Sequence, residues 1–255
     1  MTFLRFIVIT AGIALGATGL YFGYAPQELP TAPAHPKQKG VCWVGSRQQV
    51  TQAHLLSLRD NGVTWISQTP FGWQRDAMVP DIRFQTGSDR IMWGESFEGL
   101  AATTIAASSL GIHTMLKPHL WVHDTWAGAV EMQNEEDWKK WFESYERFIL
   151  TYARFADSLH IEVLCIGTEL EKTSRRAEWI PLIAKIRQHY HGKITYAANF
   201  SEFEHVTFWP YLDYIGIQGY FPLTDERKPS LEELMDGWRK PIARVEKSKG
   251  NIRKR

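Results

Sequence analysis

The chain has 255 residues, with 29 Lys plus Arg against 28 Asp plus Glu, and its net charge of +1 gives no electrostatic reason for a nucleic-acid or other polyanionic partner. That length suits one large domain with a substantial core, the usual size of a (β/α)8 barrel. Eleven Trp are many for such a chain, and indoles cover the flat C–H faces of sugars, although core packing is the better reading for any single one.

Residues 3–22, FLRFIVITAGIALGATGLYF, form an apolar run interrupted by Arg5 and a few small or hydroxyl residues. Residues 1–24 therefore read as an N-terminal hydrophobic helix serving as an export signal or a membrane anchor. Ala25-Pro26-Gln27 is not a small-x-small cleavage site, which favours the anchor. Either reading places the rest of the chain outside the cytoplasm, periplasmic or extracellular, with the membrane as a partner through this segment alone. Residues 25–40 are Pro-rich and polar and read as a linker.

From residue 41 short apolar runs alternate with helical patterns, the signature of parallel strands joined by crossover helices. The expected strands are 41–45, 64–69, 113–121, 162–168, 193–199 and 214–218; the expected helices are 50–61, 97–110, 135–159, 177–190 and 230–247. Asn61-Gly62 and Gly111 are the residue types that end helices in left-handed conformation. A loop over 70–94, rich in Trp, Gly and Pro, is long enough to carry function. Aromatic and aliphatic residues recur at helical spacing from Trp138 to Phe155, a core-packing stripe. Cys42 and Cys165 each lie in an apolar strand and read as two buried free thiols, because strands one and four of a barrel are not neighbours.

About six of the eight units of a (β/α)8 TIM-type barrel are thus expected over 41–247, with the first and sixth strands as edges. A doubly wound sheet fits less well, since Gly45-Ser46-Arg47-Gln48 lacks a phosphate-loop spacing. Residues 248–255, SKGNIRKR, read as a basic tail outside the domain, of the kind a shifted reading frame or truncated gene would produce.

In such barrels the active site lies at the C-terminal strand ends. The residues there are Ser67, Gln68 and Thr69; His119, Trp121 and His123; Thr168 and Glu169; Asn199; and Gln218 and Tyr220. This mixture of carboxylate, amides, rings and histidines is what sugar hydroxyls and ring faces require. Partial desolvation of Glu169 would keep it protonated as a general acid; the alternative is that it caps the next helix or pairs with Lys172, Arg175 or Arg176. Trp73, Trp121 and Trp126 are the candidate stacking platforms. His119 and His123 do not share a helix face, so a zinc pair is not expected, and neither a metal nor another cofactor is called for. Glu202 and Glu204 follow Asn199 closely enough to suggest a substitute nucleophile, but a solvated loop is the better reading.

The segments 43–46 (WVGS), 61–74 (NGVTWISQTPFGWQ), 117–122 (KPHLWV), 167–170 (GTEL), 195–199 (TYAAN) and 214–223 (YIGIQGYFPL) together resemble glycoside hydrolase family 113. The resemblance runs from about Val41 to Ile242 and implies a (β/α)8 barrel, a β-mannan-type oligo- or polysaccharide substrate and a retaining mechanism. It makes Glu169 the acid/base at the end of strand four. Gln68, Trp73, His119, Trp121, Thr168, Asn199, Gln218 and Tyr220 are then the candidate substrate contacts. Related retaining barrels carry Asn immediately before the acid/base, where this chain has Thr168. They also place a nucleophilic glutamate on strand seven, and no such strand is found in this sequence. The expectation is therefore a mannanase-like protein of weak or no hydrolytic activity; the alternative is a non-catalytic carbohydrate-binding or scaffold protein of the cell envelope.

Overall fold

The computed structural model describes residues 37–84 and 91–252, and the apolar run expected to be a signal or anchor lies outside them. No helix among the described residues is long and apolar enough to cross a membrane.

From Gln38 onward the chain alternates strand and helix. The elements are β1 (Gly40–Trp43), α1 (Gln52–Asp60), β2 (Trp65–Gln68), β3 (Phe71–Gln74), β4 (Ile82–Arg83), α2 (Phe97–Ser108), β5 (His113–Leu116) and β6 (His119–Val122). They continue as α3 (Glu135–Ser158), β7 (Val163–Thr168), α4 (Trp179–His189), β8 (Lys193–Asn199), β9 (Tyr214–Gln218) and α5 (Leu231–Ile252). Six strands form one parallel half-barrel sheet in the order β1-β2-β5-β7-β8-β9, leaving the first and last barrel strands as its edges among the described residues. Because every pairing in this sheet is parallel, all its C-terminal strand ends share one rim.

Local chemistry explains the helix boundaries. Asn134 caps α3 by accepting from the Asp137 N–H at 2.9 Å, and Glu135, Glu136 and Asp137 place negative charge against the positive end of the helix dipole. Ser96 caps α2 in the same way through Gly99 N–H. Gly62 and Gly111 both adopt left-handed backbone, at φ 73° and 71°, just past α1 and α2.

The core lies between the sheet and α3 and α4. All six residues of β7 are buried, and the rings of Trp141, Tyr145, Phe148, Trp179, Tyr196 and Phe208 interlock behind it.

Four expectations are corrected. The strand expected over 113–121 is two strands, β5 and β6, in different sheets, because Pro118 has no N–H for the ladder and the chain changes partners there. The loop over 70–94 contains β3 and β4, which join β6 in a separate three-stranded sheet. Cys42 is exposed, since β1 is an edge strand with no element covering it among the described residues; Cys165 is buried, and both thiols are free. Finally, the last helix, α5, continues past the expected end at Lys247 to Ile252. As in the expected order of elements, β8 and β9 are connected without an α-helix, through the turn Trp209–Tyr211, so the six barrel strands are accompanied by five α-helices among the described residues.

Candidate active site

The end of β7 is shaped by an irregularity. Its pairing with β8 shifts between Cys165 and Thr168, as a bulge does, and a bulge re-aims the side chain that follows. The Ile166 carbonyl at this point accepts from the Tyr145 hydroxyl of α3 at 2.8 Å, which satisfies it away from the ladder. Gly167 permits the close approach, since a Cβ there would stand 2.8 Å from the Tyr196 ring. Glu169 then sits in left-handed backbone at φ 51°, a conformation costing a non-glycine residue roughly 1–2 kcal/mol. Its own N–H donates to Ala197 O at 2.9 Å, which keeps the turn against β8.

The Glu169 carboxylate is partly exposed at the rim, and Asn199 Nδ2 at the end of β8 donates to its Oε1 at 2.9 Å. Two of the three cations offered as alternative partners are engaged elsewhere: Lys172 pairs with Glu131, and Arg176 with Glu135 and Glu178. Asn199 is fixed in turn, its Oδ1 accepting from the Ser201 N–H and hydroxyl. Gln218 lies directly across from Asn199 in the β8–β9 register and accepts from Lys117 Nζ at 3.3 Å. Inside the sheet a groove of about 480 Å³ is lined by Ser67, Lys117, Cys165, Ala197 and Gln218 among others. Thr168 is buried, 3.9 Å from the Cys165 thiol.

The small sheet supplies a second surface. β3 and β6 are parallel, with Phe71 opposite His119 and Trp73 opposite Trp121, so period-two alternation puts four rings on one face. Phe71 meets His119 and Trp121 edge-on, with centroids 5.6 and 6.0 Å apart. Trp73 and Trp121 are exposed. His119 Nε2 is buried with no hydrogen-bond partner among the described residues. Burial first, and the charge of Lys117 second, push the His119 pKa down to about 4, so the ring is neutral at physiological pH. The opposite face of this sheet turns inward, where Gln74 accepts from Trp141 Nε1 at 2.9 Å.

The remaining expected residues are dispersed. Gln68 is buried and its amide donates to Thr104 Oγ1 and Leu100 O of α2, so its side chain faces the helix layer and not the rim. Trp126 is exposed but lies over Gly128, outside the four-ring face. Tyr220 is highly exposed just beyond β9. His123 pairs with Asp124.

Glu202 requires a larger correction. Expected in a solvated loop, it is 1 % exposed and accepts from the Tyr196 hydroxyl at 2.6 Å and from Asn199 N–H at 2.9 Å. Burial raises its pKa to about 7, outweighing the hydrogen bonds that favour the ionised form. Glu204 is half-exposed and pairs with Arg244. The spacing of Asn199 and Glu202, with the acid three residues beyond a strand end, was the only sequence signal for the buried acid.

The model of glycoside hydrolase family 113 matches residues 42–254. Among solved structures, the chain is similar to the family 113 β-mannanase AaManA from Alicyclobacillus acidocaldarius in complex with ManMIm, at 25 % identity and TM-score 0.71 over 84 % of this chain and 67 % of that one. It is also similar to two structures of family 113 β-1,4-mannanase. One is 25 % identical, with TM-score 0.69 over 84 % of this chain and 68 % of that one. The other is 26 % identical, with TM-score 0.67 over 82 % and 66 %. The chain thus spans about two-thirds of the length of these proteins. No curated protein matches.

Proposed function

The chain belongs to glycoside hydrolase family 113, and from that premise we propose that it is a β-mannan-directed protein in which Glu169 donates a proton to the glycosidic oxygen. The observation that carries this reading is the Asn199–Glu169 hydrogen bond at the rim. The amide occupies Oε1 as acceptor, and no partner among the described residues engages Oε2, which is free to carry and deliver the proton. The left-handed backbone at Glu169 supports it, because strain of this kind persists where the surroundings hold a side chain in a working position. The rings of Trp73 and Trp121 offer apolar faces for pyranose stacking.

Retaining hydrolysis needs two carboxyl groups about 5–5.5 Å apart, one of them free to attack the anomeric carbon. Glu202, whose oxygens are held by Tyr196 and Asn199, is not free to do so. We therefore propose that the 255-residue polypeptide hydrolyses mannan weakly or not at all by itself. Incubation with β-1,4-mannan tests this: little or no reducing sugar is expected, whereas rapid release lost in Glu169→Gln would reveal a second working carboxylate. The exposed Trp73–Trp121 pair favours a second reading, saccharide binding without catalysis, which predicts affinity that survives Glu169→Gln. The apolar run at 3–22 supports export or membrane tethering, with the barrel residues outside the cytoplasm.

A further inference from the structure

Two chains of hydrogen bonds leave Glu202 and arrive on either side of Glu169. Glu202 Oε1 accepts from the Tyr196 hydroxyl at 2.6 Å, and that hydroxyl accepts from Leu170 N–H at 2.8 Å, the amide next to Glu169 in the chain. Glu202 Oε2 accepts from Asn199 N–H at 2.9 Å, and the Asn199 side chain donates to the Glu169 carboxylate at 2.9 Å. Tyr196 is fully buried between the rings of Trp179 and Phe208, so this hydroxyl has a fixed origin.

From this closed circuit we infer that Glu202, acting through Tyr196 and Asn199, is the positioning residue that sets the orientation of the Glu169 carboxylate. The inference rests on the reading of Glu169 as proton donor for its functional meaning, but the contacts do not depend on it. Both Glu202 oxygens act as acceptors, an arrangement that the ionised acid satisfies completely. A proton on either oxygen weakens it as an acceptor for the donor held there: on Oε1 the Tyr196 O–H, on Oε2 the Asn199 N–H. The pKa of about 7 brings that change within the neutral range.

Protons have a route to the site. Glu202 closes one side of a polar cavity of about 280 Å³ whose other charged lining groups are Glu131, Glu171, Lys172, Arg175 and His205. Of these, Lys172 pairs with Glu131 and Glu171 accepts from the Ser201 hydroxyl. Tyr196, from β8, stays protonated, because burial and then the charge of Glu202 raise its pKa well above the ordinary value.

Carbon-13 NMR of the glutamate side-chain carboxyls tests the inference without any saccharide. The Glu169 resonance, assigned by its loss in Glu169→Gln, is followed from pH 4 to 9. The wild-type curve is expected to show a second inflection that coincides with the titration of Glu202. Glu202→Gln should remove that inflection. Asn199→Ala should remove it too while the Glu202 resonance still titrates, and this variant leaves the Tyr196–Glu202 pair intact, so a folding defect in Glu202→Gln would not void the test. One unchanged Glu169 curve in all three proteins would overturn the inference. So would an inflection that survives Glu202→Gln and vanishes in His205→Asn. Failure of mannan binding, by contrast, would count against the proposed function and leave this result standing.

Discussion

The floor of the half-barrel and its flank are built from the same kinds of element but differ in what covers them. On the floor, β7 and β8 are packed by α3 and α4, and the rings of Tyr145, Trp179, Tyr196 and Phe208 fill the space between. On the flank, β1 and β9 carry exposed Val41, Tyr214 and Ile215, and α5 exposes Leu231, Met235, Trp238 and Ile242 at helical spacing. Glu169, Asn199 and Glu202 all rise from the floor. A strained, hydrogen-bonded acid needs rigid support, and only the floor supplies it.

The contrast is broken most sharply by truncating one ring on each side. Trp179 is fully buried and its Nε1 donates to Thr173 O, so Trp179→Ala should cost about 3–5 kcal/mol in urea unfolding. Tyr214 on the edge strand is 44 % exposed, and Tyr214→Ala should cost less than about 1 kcal/mol. Equal losses would mean that the flank is packed as tightly as the floor.

A smaller effect comes from the buried acid. The Glu202 pKa is raised from 4.5 to about 7, so the folded protein holds this proton more tightly than the unfolded chain does. Its stabilising contribution is full below about pH 4.5 and is lost as pH rises through about 7, on the order of 3 kcal/mol in all. Unfolding midpoints at pH 5 and pH 8 check this in a His119→Asn background, where the opposing titration of His119 is absent, and adding Glu202→Gln should flatten the difference. His119 provides a control of opposite sign. Its pKa of about 4 lies below the ordinary 6.5, so it is held neutral, and its contribution is lost as pH falls through that window. His119→Asn should alter only the acid limb.

Much of the floor could be read from the sequence. The apolar runs that became β7 and β8 were found with nearly the observed bounds, because strands buried against helices show as continuous apolar segments. Glu169 and Asn199 were legible as strand-end polar residues, and the structure brings them into contact. The small sheet was not readable, because the inward position of β3 is Gln74, a polar residue whose partner Trp141 lies on a helix far along the chain. Gln68 and Glu202 were misplaced for the same reason. Polar residues report burial only through partners such as Thr104 or Tyr196, and those partners are set by packing.

The most direct test of a saccharide site on the four-ring face is calorimetric titration with β-1,4-mannotetraose. Trp121→Ala and Trp73→Ala should each lower the affinity about tenfold, the weight of one stacking contact, while Trp238→Ala on the flank leaves it unchanged. Undiminished binding in both rim variants, or an equal loss in Trp238→Ala, would contradict it.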